Sequence, residues 1–262
     1  MTIFADRVHQ RWNEVLEVMG GFALLSRDIW RQLWKGKFYF NLLIEQVYLI
    51  GVKSMPLILI TAGFTGMVMA LQYGLGLEKF GGKIYVPRMV AITILREMAP
   101  VFTSLMLAAR VGAGITSEIG SMVVTQQIDA IRALGTSPIK RIVIPRVLAC
   151  LLSLPVLCAI ANIIGNLGGL IIGASELALD PSYYYLKVIT TAKIEDYLNG
   201  FGKTFFFALF ISIPACYFGL NVKAGTKEVG MATTLSVVVS SIMILIGDFF
   251  LSKLFWVVSK WI

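Results

Sequence analysis

At 262 residues, with 57% hydrophobic and only 15% charged side chains and a mean hydropathy of +0.80, the chain is too apolar for an ordinary soluble domain. Its formal charge of +8 does not point to nucleic acid, because the basic residues cluster beside apolar runs, where they act as orientation signals. A single histidine, His9, argues against a histidine-built metal site and a Ser-His-Asp hydrolase, and the three cysteines, Cys150, Cys158 and Cys216, fall inside apolar runs as small fillers.

The first 47 residues hold eleven charges and no continuous apolar core, so they are neither a span nor a cleavable signal. Trp12, Leu16, Met19, Phe22, Ile29 and Leu33 recur at helical spacing while Arg11, Glu14, Arg27 and Arg31 take other faces. That pattern predicts an amphipathic helix in the headgroup region, anchored by Trp12, Trp30 and Trp34. A soluble helix packed on a partner is the alternative.

Residues 48–262 read as a five-span domain. Ser54–Leu77, Val147–Ser175, Thr204–Val222 and Val229–Gly247 carry no charge, and each is near or above the roughly 20 residues a spanning helix needs. The remaining span, Arg88–Arg110, is apolar except for Arg96 and Glu97. Helices are expected because backbone groups must be satisfied within each segment, and the alternating pattern of a membrane barrel is absent.

Arg96 and Glu97 fall about 12 Å into the second span at 1.5 Å per residue, well inside the apolar layer. Ionisable groups there usually face a cavity or a partner. Adjacent residues point about 100° apart and cannot simply neutralise each other, and Pro100 invites a kink that would open the site. We expect the pair to bind a substrate headgroup or to pair with a neighbouring span, for which Asp248 is the candidate. A static ion pair between helices is the alternative.

Beyond that span, Ala108–Gly135 runs from glycines (Gly112, Gly114, Gly120) into an amphipathic segment with Val124, Ile128, Ile131 and Leu134 on one face. A short cytoplasmic surface helix over about 121–135 is predicted, ended by Gly135 and Pro138. Such a helix suits a transporter pushed by a cytoplasmic motor, and an anchoring role alone remains open on periodicity. In the third span Ala161, Gly165, Gly169 and Gly173 make a small-residue stripe, read as close helix packing, with a direct dimer role as the alternative. Glu176–Lys203, with Asp180–Tyr185 as a turn and the acidic pair Glu195 and Asp196, is expected to be an extracytoplasmic connection. Thirteen Lys and Arg on one side against eight on the other place the N-terminus and the 121–135 helix in the cytoplasm and the C-terminus, with Trp256 and Trp261, on the far side. Leu77–Ile84 superficially suggests a phosphate loop, but Ile84 stands where Ser or Thr is required, so no nucleotide site is expected in this chain.

The run from Leu95 to Ala149, LREMAPVFTSLMLAARVGAGITSEIGSMVVTQQIDAIRALGTSPIKRIVIPRVLA, resembles the signature region of the MlaE permease family of Mla and Mce-type lipid ABC transporters. FTGMVMALQ at Phe64–Gln72 and the run from Gly219 to Phe250 extend the resemblance over most of the chain. Met231 and Leu235 depart from it, standing where basic residues are expected in many members. The resemblance implies a homodimer that docks a cytoplasmic ABC ATPase, a periplasmic ring of MCE-domain protein, often a STAS-domain protein, and phospholipid as cargo in the inner membrane. ATP and Mg would be used by the partner, with no cofactor in this chain. It further implies ATPase contacts at Glu118, Gln127 and Asp129, Glu118 equally able to brace a helix. It implies an apolar cavity lining at Gln72, Tyr73, Leu77 and Phe80, which could equally be ordinary packing. A self-sufficient secondary lipid carrier and a lipid-modifying enzyme are the competing classes. The first lacks repeated halves and the second a convincing catalytic cluster, and neither accounts for the 121–135 helix.

Overall fold

The computed structural model of the protein describes residues 2–34, 39–223 and 225–259, and every regular element among them is helical. Helix α1 covers Thr2–Leu33, α2 Phe40–Ile50 and α3 Met55–Glu78. Next come α4 (Val86–Thr93), α5 (Ala99–Leu107), α6 (Ala113–Val124) and the short α7 (Gln127–Ala133). The chain finishes with α8 (Ile144–Ser175), α9 (Pro181–Thr191), α10 (Ile194–Leu220) and α11 (Thr226–Ser259). Five continuous helical stretches are long and apolar enough to cross a membrane: Phe40–Glu78, Lys83–Val124, Ile139–Ser175, Ile194–Leu220 and Thr226–Val258. The protein is therefore an all-α, multi-pass membrane protein.

Prolines set the internal joints. Pro56 in the first turn of α3 offers no N–H to the carbonyl of Val52, and the chain tightens into a 3-10 turn over Val52–Ser54. The first span thus consists of α2 and α3, and residue 47, the boundary expected from sequence, lies inside α2. The second span holds two π-helical turns, Ile94–Met98 and Ala108–Gly112, and a third π turn, Ile139–Val143, opens the third span. Each carries charged residues, and each re-aims side chains relative to a regular helix.

The fourth span starts at Ile194, ahead of the charge-free run at Thr204. Glu195 and Asp196 sit in its first turn, where the helix dipole favours carboxylates, so this stretch is helix and not connection. Lys203 is likewise inside the helix, and removing it from the loop tally leaves the sign of the charge asymmetry unchanged. The amphipathic segment at 121–135 is also divided. Val124 ends α6, Gln126 adopts φ 58°, and α7 begins at Gln127, because the left-handed residue turns the chain out of the span axis.

Packing centres on α8, and glycines allow its backbone to touch that of α3. A Cβ on Gly66 would run into the carbonyl of Gly165, and one on Gly168 into that of Gly63. The stripe Ala161, Gly165, Gly169 and Gly173 is consumed within the chain. Gly165 meets Ile94, while Gly169 and Gly173 lie against the ring of Tyr184 on α9. Tyr184 is fully buried, and burial pushes its phenol above the ordinary tyrosine value, so it stays neutral.

Helix α1 packs at the end of the bundle where α7 lies. Phe22 meets Tyr217 and Phe218 edge-on at ring separations of 5.0 and 5.8 Å, and the Ser137 hydroxyl donates to Gln32 Oε1 at 2.6 Å. Leu25 is buried there while Leu16, Met19, Trp30 and Trp34 stay exposed, so only part of the apolar stripe meets protein. Trp12, Trp261 and the basic residues Arg7, Arg11, Lys35, Lys37 and Lys260 lie outside the described side chains.

Contact between the α3 and α8 backbones predicts a sharp contrast between glycines. Gly66→Val should destabilise the protein by on the order of 3 kcal/mol or prevent its folding. Gly76→Ala, with nothing within 4 Å of the added carbon, should leave it intact. Thermal unfolding followed by size-exclusion chromatography distinguishes the two.

Candidate functional site

The candidate site is built where the second span meets α10 and α11. Gly200 carries no side chain where the carbonyl of Leu95 lies, which lets α10 press its backbone onto the π turn. One turn further along α10, Lys203 enters the protein and is 1% exposed. Gly247 on α11 accepts the ring of Phe210 in the same way, and Asp248 follows it in sequence.

Pro100 then acquires a second role. It has no N–H, so the carbonyl of Arg96 lacks its α-helical donor four residues on, and Lys203 Nζ donates to that oxygen at 3.1 Å. The three N–H groups of this ammonium are shared among four acceptors, the others being Glu97 Oε2 at 2.6 Å, Ser252 Oγ at 2.7 Å and Asp248 Oδ1 at 2.9 Å. Ser252 in turn donates to Glu97 Oε1 at 3.2 Å. Arg96 points elsewhere. Its Nε donates to Asp196 Oδ1 at 2.7 Å, and its Nη2 also pairs with that oxygen.

Arg96, Glu97 and Asp248 are thus brought into one neighbourhood, but Asp248 reaches Glu97 only through Lys203, and Arg96 pairs with Asp196. Two cations stand against three carboxylates, so the fully ionised cluster carries one net negative charge. Lys203 and Asp248 are largely shielded, whereas the side chains of Arg96 and Glu97 are 48% and 37% exposed. The exposed pair lines a small recess of about 80 Å³ together with Asn199 and Trp256. Lys203 and Asp196 lie in the stretch that the sequence pattern assigns to a connection, so the pattern does not mark them as site residues. The signal was present as Asp196, Gly200 and Lys203 at i, i+4 and i+7, one face of a helix.

Among the described residues, Gln72, Tyr73, Leu77 and Phe80 are absent from the linings of the two clefts that hold these charges. Gln72 is exposed, Tyr73 bonds its hydroxyl to Thr93 Oγ1 at 2.8 Å, Leu77 packs on the core, and Phe80 lies 83% exposed in the turn after α3. The reason is orientation: α3 packs on α8 and α4, while the π turn directs Arg96 and Glu97 toward α10.

At the other end of the molecule, Glu118 accepts an ion pair from Arg146 Nη2 at 2.7 Å, bracing the second span against the third. Arg146 is buried and also donates to the Ile142 carbonyl at 3.1 Å. Gln127 and Asp129 are exposed on α7. Gln127 donates to Thr125 Oγ1 at 3.0 Å, and Asp129 pairs with Arg132 at 3.1 Å. Ile128 is buried and Ile131 packs beside it, whereas Val124 and Leu134 remain exposed. Met231 and Leu235 are exposed at the start of α11.

Five helices long enough to span, with an ion cluster inside the bundle, define a polytopic membrane protein. The family model "Permease MlaE" matches residues 43–254. A probable ABC transporter permease protein of Rickettsia conorii is 37% identical over 252 residues, 96% of this chain and 97% of the relative. One from Synechocystis is 36% identical over 230 residues, 88% of each. The Haemophilus influenzae intermembrane phospholipid transport system permease protein MlaE is 34% identical over 217 residues, 82% of this chain and 83% of that one. The chain belongs to the MlaE permease family.

Removing the ammonium leaves two carboxylates facing each other without compensation. Lys203→Met should cost on the order of 3 kcal/mol, and adding Glu97→Gln with Asp248→Asn should recover most of the loss. Chemical unfolding of the single and triple variants measures both. A triple variant no more stable than the single would show that charge pairing is not what Lys203 contributes.

Proposed function

We propose that the protein is the permease subunit of an ABC transporter that moves phospholipid between the inner membrane and a periplasmic MCE-domain carrier. In this reading it works as a homodimer, energised by a separate cytoplasmic ATPase that uses ATP and Mg, with a STAS-domain protein as a further partner. This chain itself contributes no cofactor. The observation that carries the reading is the partly exposed Arg96 and Glu97 pair, held by Lys203 and Asp196 inside the spans of a member of this family. Charge at that depth is costly unless it serves a polar ligand or a moving part. The phospholipid cargo is supported by the name of the Haemophilus relative, and the ABC mechanism by the names of the others.

The remaining parts find support in what the bundle leaves uncovered. The first and fifth spans are mostly uncovered within one chain, whereas half or more of each of the other three is buried, so the first and fifth carry the surface a second copy would cover. Ile60, Phe64, Val68, Leu71 and Leu75 form one exposed stripe on α3, next to Gln72, and a dimer would turn that stripe inward to line a shared cavity with Tyr73, Leu77 and Phe80. For the motor, α7 is the receiver: Ile128 seats it and Gln127 and Asp129 face outward. In this reading α7, α1 and the N-terminus lie in the cytoplasm and the C-terminus in the periplasm, which the excess of basic residues on the α7 side supports.

Gentle purification of the tagged chain from its native membrane, with mass spectrometry of what accompanies it, tests the assembly. An ABC ATPase and an MCE-domain protein in fixed proportion, with phospholipid retained, is the expected result. Recovery of folded protein without any ATPase would replace the reading with a stand-alone carrier. In reconstituted vesicles, Glu97→Gln and Arg96→Gln should each lower phospholipid flux about tenfold or more at normal expression. Gln127→Ala with Asp129→Ala should reduce ATPase recovery without changing the fold.

A further inference from the structure

A second cleft, of about 450 Å³, opens between the start of the second span and α9. Its walls carry four cations, Arg88, Arg96, Lys187 and Lys193, against two carboxylates, Glu195 and Asp196. The Arg96–Asp196 ion pair accounts for one of each. Arg88, Lys187 and Lys193 are exposed and, among the described residues, none of them is in an ion pair. The cleft therefore keeps an excess of two positive charges.

Its walls are fixed. The Tyr183 hydroxyl donates to the Ile84 carbonyl at 3.1 Å, tying α9 to the entry of the second span. Asp180 caps α9 by accepting from the Tyr183 amide at 2.9 Å, and Tyr184 is buried against α8. Lys187 lies 5.5 Å over the Tyr183 ring, which holds its ammonium at the cleft. Helix α9 also separates two environments. Tyr183, Lys187, Thr190 and Thr191 face the charged cleft, whereas Tyr184, Tyr185, Val188 and Ala192 border an apolar one of about 330 Å³.

We propose that the charged cleft binds the phosphate of a phospholipid headgroup, with Arg88 and Lys187 as its principal ligands and Lys193 beside them. An excess of two cations suits a phosphodiester, the Thr191 hydroxyl borders the cleft as a donor, and Thr190, whose own hydroxyl donates to the Leu186 carbonyl at 2.8 Å, can accept from the rest of a headgroup. Depth selects a lipid over an acidic protein segment. Arg88 and Arg96 are eight residues apart, about 12 Å along the helix, so the cleft descends from the membrane surface into the layer where lipids already lie. The exposed Ile84 and Tyr85 continue it with apolar surface. This inference rests on the phospholipid reading and adds where on the chain a headgroup is held.

The test uses the full-length purified chain and native mass spectrometry with short-chain phosphatidylglycerol and the diacylglycerol of the same acyl length. The intact protein should retain phosphatidylglycerol about tenfold better. R88Q/K187Q should bring the two lipids to near parity, and R88K/K187R should keep the preference. Equal retention by the intact protein, or a preference that survives R88Q/K187Q, overturns the proposal. So does inorganic phosphate binding as tightly as the lipid, which would assign the cleft to a soluble anion. Crosslinking of Lys187 in the intact complex solely to an acidic protein segment that phosphatidylglycerol does not displace would make it a protein-docking site and likewise end the proposal. Because binding is read without ATPase, a chain that binds phosphatidylglycerol here yet moves none of it removes the transport reading and leaves the site. Flux with no difference in binding between intact protein and R88Q/K187Q does the reverse.

Discussion

A buried ammonium is the constraint on which the rest of the bundle depends. Taking Lys203 out of water costs several kcal/mol, and the cost is offset only where acceptors surround it with good geometry. Those acceptors come from two other spans: the Arg96 carbonyl and Glu97 from the second, Asp248 and Ser252 from the fifth. Three helices are therefore held in register by one side chain. The arrangement also leaves Glu97 and Arg96 half in the open, so the groups available to a ligand are those whose orientation the buried partners determine.

That register needs backbones closer than side chains normally permit. Gly200 against the Leu95 carbonyl, Gly66 against Gly165 and Gly168 against Gly63 are contacts that any Cβ would obstruct. Within an apolar medium there is little hydrophobic drive between helices, so close van der Waals contact and polar pairing carry the association. The π turns complement this. By inserting a residue into the helix they aim adjacent charges at different partners, Arg96 at Asp196 and Glu97 at Lys203.

The opposite end of the molecule obeys a different logic. The Glu118–Arg146 pair ties the second and third spans where they approach α7, and Ser137 ties the turn after α7 to Gln32 on α1. These contacts join the flanks of α7 to both spans and to the N-terminal helix.

Composition and periodicity by themselves determined the class. Long charge-free runs without barrel alternation satisfy their backbone in lipid as helices, so five spans and a separate N-terminal helix are legible in the sequence. Arg96, Glu97 and Asp248 were also legible, because charge inside an apolar run stands out against its neighbours. Asp196 and Lys203 did not stand out. They lie beside the charge-free run of the fourth span, and charges at a span boundary look the same whether they face water or a buried partner. Only the packing of α10 on the second span, permitted by Gly200, decides that they are inside. The same holds for Arg88 and Lys187, which are 99 positions apart in sequence and become neighbours of one cleft when α9 folds back onto the start of the second span. Local sequence specifies which segments enter the membrane, whereas pairing between distant charges is a property of helix contacts and has no local signature.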